Sequence, residues 1–536
     1  MNKIRGRTGL IASLSLALAA CGGGGGGGSS SGGGGNPQLN TLSWSTPQRL
    51  GTDTNQLPPA PSAQPLGGEP TDSLWLRLSG GVTSLWRSQA SGSARGLAST
   101  SLQSGLPAPA SSNATVAVVA GDHSMVVWTE TPGNTTSADG AGLYAQVSGP
   151  GGDTGPRQIS GTYSGDARDT VPVIDASGNA RIFWDESGQP GLNKQLFNAN
   201  WVSHTATGLS LTALVPRRLS GPDGQGWVMF GQDALGTVQH QARPLSAANG
   251  LGGSARLDDP SGNWQILSRL RLASPEGQNG FTTVGLQYPP GNPEGSFVIR
   301  RASNGLVQNS TLTLAAPGAA QPNGNYQALA TSAGGQALLV WSTGTDNTDL
   351  YVARRSASGV WGSASLLMAL PAPINGTSML AGLNAVMGPD GQAMVSYLAR
   401  DDLNTPLRLH AMATTDGTAW PTTATPLTYS GNSIQSVLQA VTAYNAAGTP
   451  GVLQVVNTTA QSNFYPVTVL MSTWANGSWR SVPLTTNVEL PYFGTTLVGQ
   501  IRLAPQGGEG WLAQWDQGNG PGDTLAYREL WASEFR

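Results

Sequence analysis

Tyr326-Gln327-Ala328-Leu329-Ala330-Thr331-Ser332-Ala333-Gly334-Gly335-Gln336-Ala337-Leu338-Leu339-Val340-Trp341, continued through Leu367, is the stretch whose period sets the fold. Ala328, Ala330 and Ser332 alternate with their neighbours, Ala333 to Gln336 breaks the run, and Ala337 to Trp341 opens a second apolar run. This is the pattern of two strands and a tight turn, with glycine supplying positive φ and branched or aromatic residues the pleated surface. Leu350 to Arg355 reads as a third strand and Val360-Trp361 through Leu366-Leu367 as a fourth. The unit predicted is a four-stranded antiparallel meander.

A single such sheet cannot bury its own faces, so neighbours of the same kind are required. The turn recurs as Asp175 to Asn179, Pro222 to Gln225, Pro275 to Gln278, Pro389 to Gln392, Ala446 to Thr449 and Gln506 to Glu509. Trp184, Phe230, Trp341 and Tyr397 each follow a turn glycine by six residues, and the units lie roughly 45 to 60 residues apart. The fold class expected is all-β: a β-propeller of about nine, alternatively eight, four-stranded blades. Nine second strands are read, at Leu74–Leu78, Met125–Trp128, Ala180–Trp184, Trp227–Phe230, Phe281–Val284, Ala337–Trp341, Ala393–Tyr397, Gly451–Val456 and Trp511–Trp515. The first of them follows the poorest copy of the turn, Pro65 to Gly68. Leu42 to Leu50 resembles a lone fourth strand, whereas Gln500–Ala504, Gly510–Trp515 and Leu525–Trp531 supply three strands with none after them. The N-terminal strand is expected to complete the last blade and close the ring, so that deleting 41–50 lowers thermal stability sharply.

Residues 1–20 stand outside this pattern. Lys3, Arg5 and Arg7 precede an apolar run, Leu10 to Ala20, too short to span a bilayer as a helix. The run ends Leu18-Ala19-Ala20-Cys21, which resembles the lipobox of bacterial lipoproteins, and Cys21 is the only cysteine of the chain. The resemblance implies cleavage before Cys21, acyl chains on that residue and a place in the bacterial cell envelope. At about 0.8 kcal/mol per buried methylene, more than one chain suffices for stable anchoring. Gly22 stands where an inner-membrane retention signal would show Asp, which implies the outer membrane. Residues 21–40, rich in Gly and Ser, are expected to form a tether whose r.m.s. span over Gly22 to Gly35 is roughly 20 Å. The domain proper is then 41–536.

Removing the signal leaves 24 basic residues against 30 acidic ones, moving the net charge from −3 to −6, with Lys194 the last lysine. Such a surface argues against nucleic acid as a partner. No phosphate loop, dinucleotide fingerprint or nucleophile elbow is present, and no cofactor is expected. His123, His204, His240 and His410 fall in different repeats without zinc spacing, and no loop has the calcium ligand pattern, so no metal is assigned.

In a meander, the turns from strand 1 to 2 and from strand 3 to 4 share one end of the sheet, and here they are short. The opposite end carries the 2-to-3 loops and the links between units, which are long and varied: Glu130–Ala141, Leu286–Gly295, Leu398–Pro406, Asp516–Thr524, Gly105–Asn113, Pro317–Asn325, Pro371–Ser378 and Thr485–Phe493. Long loops on a rigid frame are where binding groups concentrate. The candidate ligand-binding residues at that end are Asp185, Glu186, Asp401, Asp402 and Asp516, beside or near second-strand aromatics. Acids in that setting hold sugar hydroxyls or act as an acid and base pair on a glycosidic bond. Trp128, Trp184, Trp341 and Trp515 are expected to pack between blades. Asp175-Ala176-Ser177-Gly178 faintly resembles the Asp-box of sialidases, but the aromatic comes six rather than three residues past the glycine. The arginines, Arg217-Arg218, Arg269, Arg271, Arg300-Arg301 and Arg354-Arg355, form no assignable cluster. The functional reading is a lipid-anchored, monomeric binding or scaffolding module for an envelope protein or glycan. The alternative is a carbohydrate-active hydrolase or lyase working at the same end.

Overall fold

The computed structural model describes Trp44 and most of residues 48–535. Outside the description lie 1–43, 45–47, 53–72, 91–96, 108–114, 131–141, 206–216, 221–224, 257–271, 288–295, 313–321, 344–348, 371–378, 429–433, 458–465 and 519–527, with some shorter stretches. The signal, Cys21, the tether and Asp401 are therefore outside the described residues.

The described chain is all-β, a succession of antiparallel meanders that we number as sheets 1 to 9. Sheet 6 is the unit read above: Pro322–Thr331, Ala337–Thr343, Asp349–Arg355 and Ser365–Ala369, each paired with the next. The second strands predicted for sheets 2 to 9 all occupy the second place, within His123–Glu130, Ala180–Glu186, Gln225–Ala234, Gly280–Gln287, Ala337–Thr343, Ala393–Ala399, Pro450–Asn457 and Trp511–Gly518. Sheet 1 has three strands among the described residues, with Ser73–Ser79 at its edge. The turn read at Pro65 to Gly68 lies outside the described residues.

The turn chemistry explains why the meanders form. Ser332 N–H donates to Gln336 O at 3.0 Å and Gly335 N–H to Ser332 O at 3.1 Å, while Ser332 Oγ accepts from Gln336 N–H at 3.2 Å. The same loop is built at Asp175 to Asn179 and at Asn445 to Thr449, where Asp175 Oδ1 and Asn445 Oδ1 replace the hydroxyl at 2.9 and 2.8 Å. Gly178, Gly335, Gly391 and Gly448 sit at φ of 82°, 79°, 91° and 76°. This is the left-handed position that a three-residue hairpin loop demands.

Packing then works between sheets. Along Ala337–Thr343 all seven side chains are buried, because the two faces of the strand meet different neighbours. Leu338 and Val340 join a cluster with Leu383, Ala385 and Val395 of sheet 7; Leu339 and Trp341 join Val284, Phe297 and Ile299 of sheet 5. Burying each such aliphatic side chain stabilises by roughly 1.5–3 kcal/mol. Similar clusters join sheets 1 and 2, 2 and 3, 3 and 4, 7 and 8, and 8 and 9. The first strand of one sheet lies beside the first strand of the next from sheet 5 through sheet 9.

Two boundaries differ from expectation. The fourth strand of sheet 6 is Ser365–Ala369 and not 360–367; Trp361 makes only an isolated bridge to Arg355, and Gly362 N–H donates to Arg354 O at 2.8 Å. The chain spends residues 360–364 on this detour; pairing resumes at Ser365 opposite Val352, with a register shift farther along between Tyr351 and Leu350. The N-terminal strand is Gln48–Thr52, starting after Pro47, which has no N–H to give a ladder. It pairs with Arg528–Phe535 as the fourth strand of sheet 9, and Trp44 adds a bridge to Phe535. Three links also prove shorter than read: Leu97–Pro107 runs into Gly105–Asn113, Pro322–Thr331 into Pro317–Asn325, and Ser478–Glu489 into Thr485–Phe493, where Tyr492–Phe493 pairs with Thr496–Leu497.

Candidate functional site

The second strands run toward the long-loop end, and their last residues stand at its rim. Asp185 and Glu186 close the strand Ala180–Glu186, where Glu186 pairs with Gln189 beyond a register shift at Trp184. Asp516 lies in Trp511–Gly518 and pairs with Leu530. Asp402 is exposed in the loop after Ala393–Ala399. That loop is stitched by Thr405, whose Oγ1 accepts from Asp402 N–H at 2.9 Å and donates to Asp402 O at 2.8 Å. Arg400 beside it donates through Nη1 to Leu403 O at 3.4 Å. Asp185, Glu186, Asp402 and Asp516 thus belong to sheets 3, 7 and 9 and lie at the same end of their sheets.

The structure adds Glu130 to this set. It ends the second strand of sheet 2, is 2% exposed, and its Oε1 accepts from Trp128 Nε1 at 3.0 Å. Strand periodicity puts the two side chains on one face. The signal was present in the sequence: Glu130 follows its strand-2 tryptophan by two residues, as Glu186 follows Trp184. No group of three His, Cys, Asp or Glu side chains able to hold a metal ion lies among the described residues.

The tryptophans at this register are buried: Trp128, Trp184, Trp341 and Trp515 are each at most 2% exposed. Each packs toward the preceding sheet. Trp341 meets Phe297 edge-on at 5.1 Å and stacks on Tyr351 at 6.0 Å between centroids. They are parts of the frame, and the chemistry of the rim falls to its polar groups.

At the short-turn end two arginines of sheet 6 reach into neighbouring sheets. Arg354 of sheet 6 donates to Gly391 O at 3.1 Å and to Asp416 O, both in turns of sheet 7. Arg355, 1% exposed, donates to Gly335 O at 2.8 Å and to Thr282 Oγ1 of sheet 5 at 2.8 Å, with Trp361 5.8 Å away. A Cβ on Gly335 would clash with the Arg301 guanidinium of sheet 5. Arg354 and Arg355 are therefore rivets between sheets. Turn glycines serve the same contacts: the Gln336 amide occupies the space a Cβ on Gly391 would take, and Gln392 does so at Gly448.

The Asp175 loop, singled out for its resemblance to an Asp-box, has its carboxylate occupied in the turn. Oδ1 accepts from the Ser177 and Asn179 N–H groups at 3.0 and 2.9 Å, and Oδ2 from Asn179 Nδ2 at 2.8 Å. Asp416 caps its turn in the same manner. Hydrogen bonds from the Ala419 and Thr418 N–H groups, at 2.9 and 2.7 Å, hold its carboxyl well below the usual carboxylate range. A depressed folded pKa stabilises the fold above the unfolded value of about 3.9, and that contribution fades as pH falls toward the folded value. Asp416→Ala is expected to lower the melting temperature at pH 7, with the gap to the native protein closing below about pH 4. A gap that stays constant from pH 7 to pH 2 in thermal scans refutes this account.

No protein-family model matches the chain, and no curated protein does. Solved structures give loose likenesses. A puromycin hydrolase is 14% identical with a TM-score of 0.32, over 75% of this chain, which spans only 58% of that enzyme. A polysaccharide lyase is 8% identical with a TM-score of 0.35, over 87% of each chain. An α-L-arabinofuranosidase from Fusarium graminearum is 11% identical with a TM-score of 0.31, over 69% of this chain and 98% of that one. At such scores these likenesses carry no argument about this protein.

Proposed function

We propose that the chain is a bacterial envelope lipoprotein, acylated on Cys21, whose domain is a β-propeller that binds a glycan at its long-loop end. The propeller reading is supported by the succession of meanders, by the apolar clusters shared between consecutive sheets and by the adjacency of their first strands. Nine such sheets lie among the described residues, which favours nine blades. The strand Gln48–Thr52 in sheet 9 supports a ring closed by the N-terminus, leaving no free edge on the last blade.

The observation that carries the binding reading is the placement of Glu130, Asp185, Glu186, Asp402 and Asp516 at one end of the sheets, the end with the long loops. The opposite end is consumed by turn closure and by contacts between sheets. Carboxylates amid Ser, Thr and Asn loops accept from sugar hydroxyls, and their negative charge disfavours polyanions. The lyase or hydrolase reading uses the same end; its support is Glu130, a buried carboxylate held by an indole N–H.

The test is a polysaccharide and glycan array with the full-length protein, together with Asp402→Ala, Glu130→Gln and, at the short-turn end, Asp390→Ala. Expected is binding of a neutral or basic glycan, weakened several-fold by the first two and unchanged by the third. Loss of product formation in Glu130→Gln with binding retained would establish the enzyme instead. No glycan binding, with a reproducible protein crosslinked at the long-loop end in cells, would establish a protein scaffold.

A further inference from the structure

The register that holds an aromatic side chain in sheets 3, 4, 6 and 7 holds an amide in sheet 8. Trp184, Phe230, Trp341 and Tyr397 follow their turn glycines by six residues, and the same count from Gly448 reaches Gln454. Gln454 lies in the second strand of sheet 8, Pro450–Asn457, opposite Ala440 and Leu470, and is 0% exposed. Val452 and Val456, two residues to either side, belong to the apolar cluster shared by sheets 7 and 8, so alternation turns Gln454 toward sheet 7. Its side chain is shorter and narrower than an indole or a phenol. Among the described residues neither its Oε1 nor its Nε2 has a hydrogen-bond partner on the protein.

The surfaces around it are polar for a joint between sheets. Ser396, 3% exposed, stands between Met394 and Leu398, which face sheet 8, and Thr468, 2% exposed, shares a strand face with Leu470. Nearer the first strands, Asn384 Nδ2 of sheet 7 donates to Thr442 Oγ1 of sheet 8 at 2.6 Å. The joint between sheets 5 and 6 fills the corresponding space with Trp341 against Phe297 and Val284.

We propose that Gln454 is the base of an internal water site between sheets 7 and 8, with the hydroxyls of Ser396 and Thr468 as further partners. An amide buried without a bond forfeits its hydration outright, whereas a trapped water restores those bonds at a small cost in freedom. Gln454 offers an acceptor and donors, the hydroxyls serve either way, and an internal water takes about three polar partners. Leu409 and Ala411 of sheet 7 and Leu470 of sheet 8 complete the wall and carry no charge, which disfavours an ion. Water thus takes the part played elsewhere by a ring: it fills the register and ties two sheets together.

The test is a crystal structure of the full-length protein, and of Gln454→Met, at a resolution that shows ordered solvent. Expected is a solvent peak within about 3 Å of Gln454 Oε1 or Nε2, shared with Ser396 Oγ or Thr468 Oγ1 and lost in Gln454→Met. Water relaxation dispersion in solution is expected to show fewer long-lived internal waters in the variant. A dry amide, or one turned onto a protein group, overturns the site from the native structure alone, so the result does not depend on the variant folding. A peak that persists in Gln454→Met, or an equal number of long-lived waters in the two proteins, overturns the assignment to Gln454.

Discussion

Trp341→Ala is expected to lower the unfolding free energy by about 3–5 kcal/mol, the usual cost of truncating a buried large aromatic side chain. Trp341 is 0% exposed, and its loss removes contacts to Phe297, Tyr351, Leu329 and Val284 at once. The void would open between sheets 5 and 6, which are joined there by side-chain packing and by the Arg355–Thr282 hydrogen bond. Denaturant unfolding followed by tryptophan fluorescence measures the effect. A protein of native stability that has lost glycan binding would show instead that this tryptophan is a ligand platform.

The second large effect is expected on deleting residues 41–52. This removes the outer strand of sheet 9, the bridge from Trp44 to Phe535 and the cover over the cluster containing Trp511 and Ile501. Arg528–Phe535 would become an edge with unpaired N–H and C=O groups. A fall in melting temperature of several degrees is expected, with hydrogen exchange rising first in sheets 8 and 9. An unchanged melting temperature, with exchange unaltered in Trp511–Gly518, would mean that the N-terminal strand does not hold the last sheet.

Much of this architecture is legible in the sequence because it depends on local rules. A glycine at positive φ and an oxygen-bearing residue three positions before it define the hairpin, as at Ser332 and Gly335 or Asn445 and Gly448. The strand that follows is apolar on both sides because both of its faces are covered. The fourth strands were less legible. At Trp361 the chain leaves the ladder for a contact with Arg355, and no local pattern separates that detour from a strand.

The site was legible in kind and not in geometry. Acids that follow second-strand tryptophans are visible in the sequence, where Glu130 reads as the first residue of its loop. Their mutual placement depends on how sheets far apart in the chain are packed, which no spacing encodes. The arginines show the same limit. Arg354 and Arg355 are neighbours in sequence, yet the first reaches forward to sheet 7 and the second back to sheet 5, because adjacent strand residues face opposite sides.

The contact between a turn glutamine and the next turn glycine has a consequence for how such a chain can lengthen. Sheet 7 offers Gly391 to Gln336 on one side and presents Gln392 to Gly448 on the other. One repeat thus carries both the plug and the socket of the same joint. A tandem duplication of that repeat would therefore carry the same glutamine-on-glycine joint to the new boundary between the two copies.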